Sequence, residues 1–283
     1  MITPQELVAC IEKLTSLPAV YHRIRALLDD PDSSVHDLAE AVSSDPAITA
    51  RVLRVVNSVL FGFPGRIETV GRAVNLLGMQ QVHDLVLGTA IVGAFNGIRP
   101  ARMHMSRFWK DSVYRGLAAR AAAHRLGLGD PERMFVEGLL ADIGHLVMFQ
   151  AAPDMADAAL ERAHRHHIPI HEAEQSVVGC HYAEVGAALA SAWHLPAGFS
   201  AAIGAQLMPL LAGPHTQEAA ILHLANDLLA SDADEVDEDA VLATMSPSIV
   251  TILQADASML GAVRARVRDE LSAVIALFFP DQS

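Results

Sequence analysis

The stretch from 138 to 148 reads Gly138-Leu139-Leu140-Ala141-Asp142-Ile143-Gly144-His145-Leu146-Val147-Met148. This almost wholly apolar run predicts the middle of a fully buried helix, with one carboxylate, Asp142, set into it. A buried carboxylate costs free energy unless a partner compensates its charge. Two interpretations stay open: Asp142 is a metal ligand or catalytic acid, or it is a structural residue bonded to a neighbouring helix end or to an Arg.

The composition indicates a folded, helical protein. The chain has 283 residues, 52% of them apolar, with only three Tyr and two Trp, and it can bury a substantial core without disulfide bonds. Two Cys are too few for a disulfide framework or a zinc knuckle. The longest uncharged apolar run, Leu85 to Phe95, is too short to span a bilayer, and no signal sequence opens the chain. We therefore expect a soluble cytoplasmic protein without a membrane partner.

Charge is distributed unevenly along the chain. The formal net charge of −13 argues against a broad nucleic-acid footprint, because DNA and RNA attract basic surfaces. Residues 213–283 hold 12 acidic and 3 basic residues, so this part is a compositionally separate piece. Within it, residues 231–239 form an acidic run. This run is either a solvated turn or an acidic site for a cation or a partner.

Helix signals recur along the chain, and strand signals are almost absent. Ser34 with Asp37 approximates a capping box, and Asp45-Pro46 caps the next helix. The helices predicted at 34–43 and 46–57 have the dimensions of a helix-turn-helix. The second helix, however, begins without the exposed polar and basic residues that a DNA-reading helix needs. We therefore favour two packed helices that do not bind DNA.

The C-terminal part continues the helical pattern. One helix is predicted from Gln217 to Leu229, and a last one from Met259 to Phe279 carries apolar residues at helical spacing on one face. Such a face needs a surface to cover. We expect the last helix to pack back on the bundle, across the seam between two lobes.

Short motifs follow one another along the chain: Leu17-Pro18, Ser44-Asp45-Pro46-Ala47, Val56-Asn57-Ser58, Ile67 with Arg72-Ala73-Val74-Asn75-Leu76-Leu77-Gly78, Gly138-Leu139-Leu140-Ala141-Asp142-Ile143-Gly144, Glu172-Ala173-Glu174, Gly179-Cys180-His181 and Trp193-His194-Leu195-Pro196. In this order they resemble the HDOD domain family. The resemblance implies an all-α fold of two helical lobes, the second related to the HD superfamily of metal-dependent phosphohydrolases. It also implies a role in bacterial signal transduction.

The resemblance predicts the domain organisation as well. An HDOD domain is expected at 14–212, with an N-terminal helical lobe at 14–100 and an HD-like helical lobe at 101–212. Residues 213–283 are expected to form a C-terminal helical extension that completes the HD-like lobe.

The resemblance further implies where the metal site of the HD superfamily would lie. The first His of that site corresponds to Asp111, and the His-Asp doublet corresponds to Ala141-Asp142. The distal Asp corresponds to Asn226, or to Asp227 after a one-residue shift, and His181 resembles an additional His of some branches. Ala141 cannot ligate a metal, and hydrolysis needs a metal that activates a bound water. What remains, Asp111, Asp142 and His181, could hold a divalent metal weakly, or Asp142 and His181 could form a buried pair.

The resemblance and the altered site together predict a non-catalytic signalling or regulatory module that binds a protein partner or a ligand, such as the output part of a response regulator. No cofactor is expected beyond a weakly held divalent metal, and nothing in the sequence indicates the identity of the partner or the oligomeric state. Two alternatives remain. One is a residual metal-dependent phosphohydrolase or phosphodiesterase with a degenerate HD site, and the other is a DNA-binding regulator that uses the helix pair at 34–57.

Overall fold

The chain folds into packed α-helices in the computed structural model, which describes residues 1–11, 19–95, 100, 103–128, 130–232 and 236–279. No strand occurs among these residues, so the all-α prediction is confirmed. The Leu17-Pro18 motif lies outside them. A 3-10 helix spans Pro209–His215. The α-helices are α1 (Pro4–Ile11), α2 (Ala19–Asp29), α3 (Val35–Ser43), α4 (Pro46–Val56), α5 (Val70–Leu77), α6 (Met79–Ala94), α7 (Met105–Leu126), α8 (Pro131–Leu140), α9 (Ile143–Ala151), α10 (Pro153–His166), α11 (Ile170–Val177), α12 (Tyr182–Ala192), α13 (Ala197–Ala205), α14 (Thr216–Ala230), α15 (Glu238–Thr244), α16 (Pro247–Leu253) and α17 (Ala257–Phe278).

Helices α2 to α6 pack against one another, whereas α1 packs against α9 and α12. The predicted caps are present. Ser34 and Asp37 form a reciprocal capping box at α3, and the Asp45 carboxylate accepts backbone N–H groups at the start of α4. Arg51 of α4 donates a hydrogen bond to the carbonyl of Thr89 on α6 over 3.3 Å. The helix pair α3 and α4 is therefore integrated into this bundle.

Helix α7 is the centre of the second half of the chain, because α8, α14 and α17 all pack against it. Two glycines of the stretch 138–148 permit close helix contacts. A Cβ atom on Gly138 of α8 would lie only 2.8 Å from the Cα atom of Gly116 on α7. A Cβ atom on Gly144 of α9 would collide with the carbonyl oxygen of Tyr182 on α12. The absence of side chains at these positions lets α8 approach α7 and α9 approach α12.

The prediction of one continuous helix through residues 138–148 is wrong. Helix α8 ends at Leu140 and α9 begins at Ile143, with a turn at Ala141 and Asp142. The predicted burial is correct, since nearly all of these residues are buried. Asp142 precedes α9 but its side chain does not cap that helix. An Asp favours helix ends over helix interiors, and at this turn its carboxylate serves a partner on another helix.

One helical stretch, Pro131–Ala151, is long and apolar enough to cross a membrane by length and composition. Within the fold, 83% of its most apolar window is buried. The close contacts of α8 with α7 and of α9 with α12 therefore account for its apolar character.

Helix α17 packs along α7 and also reaches α4. Rings at the end of this helix contact the second half of the chain: Phe279 stacks on Trp109 with centroids 4.9 Å apart, and Phe278 lies 5.8 Å from Phe135. The apolar face predicted for the last helix thus covers the bundle, as expected. The lobe boundaries at residues 100 and 212 stay predictions.

The acidic run at 231–239 lies partly outside the described residues. Of its described members, Asp232 and Glu238 lie 3.6 and 3.0 Å from the guanidinium of Arg264 on α17. Arg264 is buried and also donates to the carbonyl of Leu228 over 2.8 Å. These two carboxylates therefore help to hold α17 in place.

Candidate functional site

Asp142 is held by an arginine of α7. Its Oδ2 atom lies 2.6 Å from Nη2 of Arg115, and the two side chains are only 11% and 13% exposed. A guanidinium and a carboxylate at this distance form a charge-assisted hydrogen bond, which is stronger than a bond between neutral groups. The structure therefore shows the Arg partner that one of the two interpretations of Asp142 expected.

A closed circuit of hydrogen bonds surrounds this ion pair. Nε of Arg115 donates to Oδ1 of Asn226 over 2.6 Å, and Nδ2 of Asn226 donates to Oε1 of Gln206 over 3.0 Å. Nε2 of Gln206 then donates to the carbonyl of Ala141 over 2.8 Å. Gln206 is fully buried. The circuit ties Ala141 and Asp142 to α7 and α14, and it fixes the orientation of the guanidinium.

This circuit distinguishes the two residues that could correspond to the distal Asp. Asn226 belongs to the circuit, and its amide is neutral. Asp227 instead lies 3.8 Å from Nε2 of His223. Burial raises the pKa of the Asp227 carboxyl, although the charge of His223 opposes this. The position that faces Arg115 therefore carries an amide and no carboxylate.

Asp111 lies one helical turn before Arg115 on α7. Burial raises the pKa of its carboxyl, and the charges of Arg115 and Arg107 oppose that rise, while the charge of Asp142 adds to it. Its Oδ2 lies 3.6 Å from Nε of Arg107. Asp111 and Asp142 are therefore within electrostatic reach of each other and of the same guanidinium, Arg115.

His181 is not part of this cluster. It caps the start of α12, where its Nδ1 accepts the backbone N–H of Glu184 over 3.4 Å and its Nε2 lies 3.7 Å from the Glu184 carboxylate. Its ring also approaches that of His171, with centroids 6.3 Å apart. In the part of the chain that the structure describes, no contact joins His181 to Asp142. The expected Asp142–His181 pair is therefore wrong: His181 is engaged as a helix cap, and Arg115 compensates Asp142.

A second buried ion pair lies nearby and was not predicted. Nδ1 of His145 lies 2.7 Å from Oε1 of Glu174, and Oε2 of Glu174 accepts the backbone N–H of Tyr182 over 2.9 Å. Burial lowers the pKa of His145, but the charge and the hydrogen bond of Glu174 outweigh it, and the net pKa is raised. The sequence signals were His145 in the apolar stretch and the Glu172-Ala173-Glu174 motif, and nothing connected the two.

The residues at this position do not fit a catalytic divalent metal. Ala141 offers a methyl group where a ligand is needed, and the Asp142 carboxylate is already bonded to the fixed positive charge of Arg115. A divalent cation close to that guanidinium would experience strong repulsion. Across the described residues, no group of three or more His, Cys, Asp or Glu side chains is placed to hold a metal ion. The arrangement supports the packing of α7, α9 and α14.

Comparison with known proteins identifies relatives. A family model for the HDOD domain matches residues 14–209. A protein of Treponema pallidum (strain Nichols), itself uncharacterized, is 27% identical over 190 residues. That match covers 66% of this chain and 36% of the relative, so the chain spans about a third of the length of the curated relative that it matches.

Solved structures share the fold. A protein of Shewanella amazonensis SB2B, provisionally described as a phosphohydrolase, superposes with a TM-score of 0.75 at 26% identity, covering 98% of this chain and 97% of its own. An HDOD domain protein of unknown function from Geobacter sulfurreducens superposes with a TM-score of 0.74 at 22% identity, covering 96% of this chain and 98% of its own. A protein of Marinobacter aquaeolei VT8, provisionally described as a signal transduction protein, superposes with a TM-score of 0.71 at 24% identity. The match covers 95% of this chain and 61% of that protein.

Proposed function

Because the chain belongs to the HDOD domain family, we propose that it is a non-catalytic signal-transduction module that acts by binding a protein partner or a ligand. One observation carries this proposal. The Arg115–Asp142 ion pair occupies the place where resemblance to the HD superfamily implies a metal. The module keeps the helical scaffold, and the guanidinium of Arg115 takes the place of the metal beside Asp142.

The chemistry of hydrolysis supports the same proposal. A phosphohydrolase of the HD type needs a metal that lowers the pKa of a bound water and holds the phosphate oxygens. Arg115 can bind anions, but a guanidinium cannot generate a hydroxide nucleophile, because it has no coordination sphere. Its Nη2 and Nε atoms are in any case engaged by Asp142 and Asn226.

The relatives support a regulatory role and an attachment to other segments. The solved protein of Marinobacter aquaeolei VT8 is provisionally assigned to signal transduction, and this chain covers 61% of it. The Treponema pallidum relative is also considerably longer than the matched region. We propose that the domain works in the cytoplasm as a module of signalling proteins, and that the output part of a response regulator is one setting for it.

A residual phosphohydrolase is the second candidate. The observation that favours it is the full-length likeness to the Shewanella amazonensis SB2B protein, provisionally described as a phosphohydrolase, at 26% identity. Under this alternative, Asp111 would have to release Arg107, and Asp142 would have to release Arg115, before the two carboxylates could ligate a metal.

The two candidates are separated by an activity measurement. The chain is incubated with bis-(p-nitrophenyl) phosphate and with p-nitrophenyl phosphate in the presence of manganese, iron or magnesium. We expect no turnover above background. Turnover faster than about one per minute, abolished by Asp142→Ala, would contradict the proposal, and this limit is lenient because typical enzymes reach about 10 per second. Turnover that persists in Asp142→Ala and co-elutes with the chain in gel filtration would also contradict the proposal, at a site other than Asp142.

Binding is tested separately from catalysis. The immobilised chain is incubated with extract of its native cells, and retained proteins are identified and then purified for titration against the free chain. We expect a saturable complex with at least one purified protein or a small ligand. Catalysis without any such complex would favour the residual phosphohydrolase.

A further inference from the structure

A cavity of about 1070 Å³ opens between the end of α4, the segment 57–68 and the C-terminal part of α17. Its lining includes Arg54, Arg66, Phe63 and Leu277. None of the residues of the Arg115 circuit lines it. The cavity is therefore a second place at which the chain offers arginine side chains, and it shares no lining residue with the altered HD position.

The two arginines of this cavity outnumber its one acidic residue. Among the described residues, neither Arg54 nor Arg66 takes part in an ion pair or a hydrogen bond, and one carboxylate, Glu68, belongs to the lining. The segment 46–78 as a whole carries four arginines and this single acidic residue, within a chain of net charge −13. Such a local excess of positive charge attracts anions and concentrates the field in a concave site.

The wall of the cavity is pre-formed. Nδ2 of Asn57 donates to the carbonyl oxygens of Leu53 and Ile67, each over 2.7 Å, and its Oδ1 accepts the N–H of Ile67 over 2.7 Å. These bonds fasten the end of α4 to the segment that carries Arg66. The backbone of this wall is therefore ordered before a ligand binds, which removes one part of the cost of binding.

The cavity also has a fixed aromatic surface. Phe63 lies parallel to Phe61, with ring centroids 6.0 Å apart and an interplanar angle of 6°. The guanidinium of Arg120 lies 5.8 Å from the centroid of the Phe61 ring. Arg120 is itself buried and donates to the carbonyl of Leu60 over 2.7 Å. Phe63 is thus held as a flat apolar surface in the lining that also contains Arg54 and Arg66.

We propose that this cavity binds a nucleotide, with Arg54 and Arg66 contacting its phosphates and Phe63 contacting its base. This inference rests on the proposed function, since it identifies the ligand class that a non-catalytic module would sense. Guanidinium groups match the geometry of phosphate oxygens and form two hydrogen bonds at once. Aromatic rings provide a surface on which any base can stack.

The size and charge of the site favour a small ligand over a macromolecule. Small-molecule sites in proteins have volumes of roughly 300–1,000 Å³, and the volume of this cavity, about 1070 Å³, is just above that range. Nucleic acids are bound by basic surfaces that extend along their phosphate backbone. Here the chain has a net charge of −13, and the positive excess lies in the short segment 46–78. The bound nucleotide would also touch Leu277 of α17. Helix α17 packs on both α4 and α7. A nucleotide in the cavity would therefore affect the contact of α17 with α4.

The proposal is tested by isothermal titration of the full chain at low salt in EDTA, which removes any contribution from divalent metals. The probes are GTP and ATP. Pyrophosphate tests the recognition of phosphates alone, and guanosine tests the recognition of a base and its sugar alone. We expect saturable, salt-sensitive binding of at least one nucleotide, weaker binding of pyrophosphate and weakest binding of guanosine.

Matched variants locate the binding site. The double variant Arg54→Gln with Arg66→Gln should weaken nucleotide binding by at least about tenfold, since two charge-assisted contacts to phosphate are removed. Arg72→Gln, which changes an exposed arginine of the same segment outside the cavity, should leave the affinity unchanged. Phe63→Ala should weaken nucleotide binding and leave pyrophosphate binding as it was. Circular dichroism and thermal unfolding check that each variant is folded.

Each contrary result overturns the proposal. No saturable binding of either nucleotide up to about 1 mM would refute it, as would binding that survives the double arginine variant. Tighter binding of a poly-glutamate peptide than of any nucleotide would show that the cavity recognises carboxylates. The proposed function fails by a different result, namely phosphoester turnover abolished by Asp142→Ala, because Asp142 lies outside the cavity.

Discussion

Two regions of this protein use arginine in opposite ways. In the second half, Arg115 is nearly buried, bonded to Asp142 and Asn226, and enclosed by the Gln206 circuit. In the first half, Arg54 and Arg66 line an open cavity and have no ionic partner among the described residues. A charge serves stability when its partner lies inside the chain, and it remains available for a ligand when it has no such partner.

Substitutions in the two regions should therefore have different effects. Loss of Arg115 should destabilise the fold, whereas loss of Arg54 and Arg66 should affect ligand binding. Surface substitutions without partners usually change the free energy of unfolding by less than about 0.5 kcal/mol. A double variant of Arg54 and Arg66 that unfolds much more easily would break the distinction.

The largest effect is expected at the ion pair. Arg115→Ala and Asp142→Ala should each lower the free energy of unfolding by about 3–5 kcal/mol, because each leaves the partner charge buried and unpaired. The double variant should lose much less than the sum of the two. Urea unfolding of the four proteins gives this double-mutant cycle.

A matched surface pair serves as the control. Arg107 is 82% exposed and lies 3.6 Å from Asp111, so Arg107→Ala should cost no more than about 1 kcal/mol. If Arg115→Ala cost as little as Arg107→Ala, Asp142 would be solvated or held by something else. The central ion pair would then have no structural role.

A smaller effect is expected from the neutral part of the circuit. Gln206→Leu should destabilise by about 1–3 kcal/mol, because the Ala141 carbonyl and the Asn226 amide lose their buried partner. The comparison variant is Gln175→Ala, which removes an exposed glutamine that donates to the carbonyl of Gly179 over 2.9 Å. Its cost should be under about 0.5 kcal/mol. Equal unfolding midpoints for the two variants would show that the circuit contributes nothing.

The smallest effect concerns pH. The pKa of His145 is raised in the folded chain, by Glu174 against the opposing effect of burial, so the folded state holds a proton that the unfolded state releases above about pH 6.5. The stabilisation is complete below that pH and is lost as the pH rises through the folded pKa. The free energy of unfolding should therefore fall above pH 6.5, by at most about 1.4 kcal/mol per pH unit for one proton.

Two variants isolate this contribution. Both His145→Gln and Glu174→Gln should flatten the pH dependence above 6.5, the first by removing the titrating group and the second by removing the charge that raises its pKa. Arg54 and Arg66 variants should leave the slope as it is in the wild type. An unchanged slope in His145→Gln would assign the pH dependence to another group.

Periodicity and caps predicted much of the fold. The Ser34 and Asp45 caps, the burial of residues 138–148 and the covering of the bundle by the last helix follow from local sequence rules, and the structure shows each of them. The turn at Ala141-Asp142 was missed because the apolar pattern runs through it without interruption. Periodicity reports burial, and it does not report where a backbone leaves the helix.

The candidate site was only partly predictable, because its contacts join distant parts of the sequence. Asp142 was identified as a buried carboxylate that needs a partner, but Arg115 lies on a different helix, and no local pattern pairs them. His181 was expected at Asp142 because of a resemblance, whereas its ring caps α12. Asn57, quoted as a motif residue, proves to fasten Ile67 and so to shape the arginine cavity.

The most direct test of the central claim is a calorimetric titration of the full, metal-free chain with manganese. If Arg115 has replaced the metal as the partner of Asp142, no saturable manganese site tighter than about 1 mM should be found, and Asp142→Ala should bind no less manganese than the wild type. One manganese ion per chain, bound more tightly than this limit and lost in Asp142→Ala, would contradict the account.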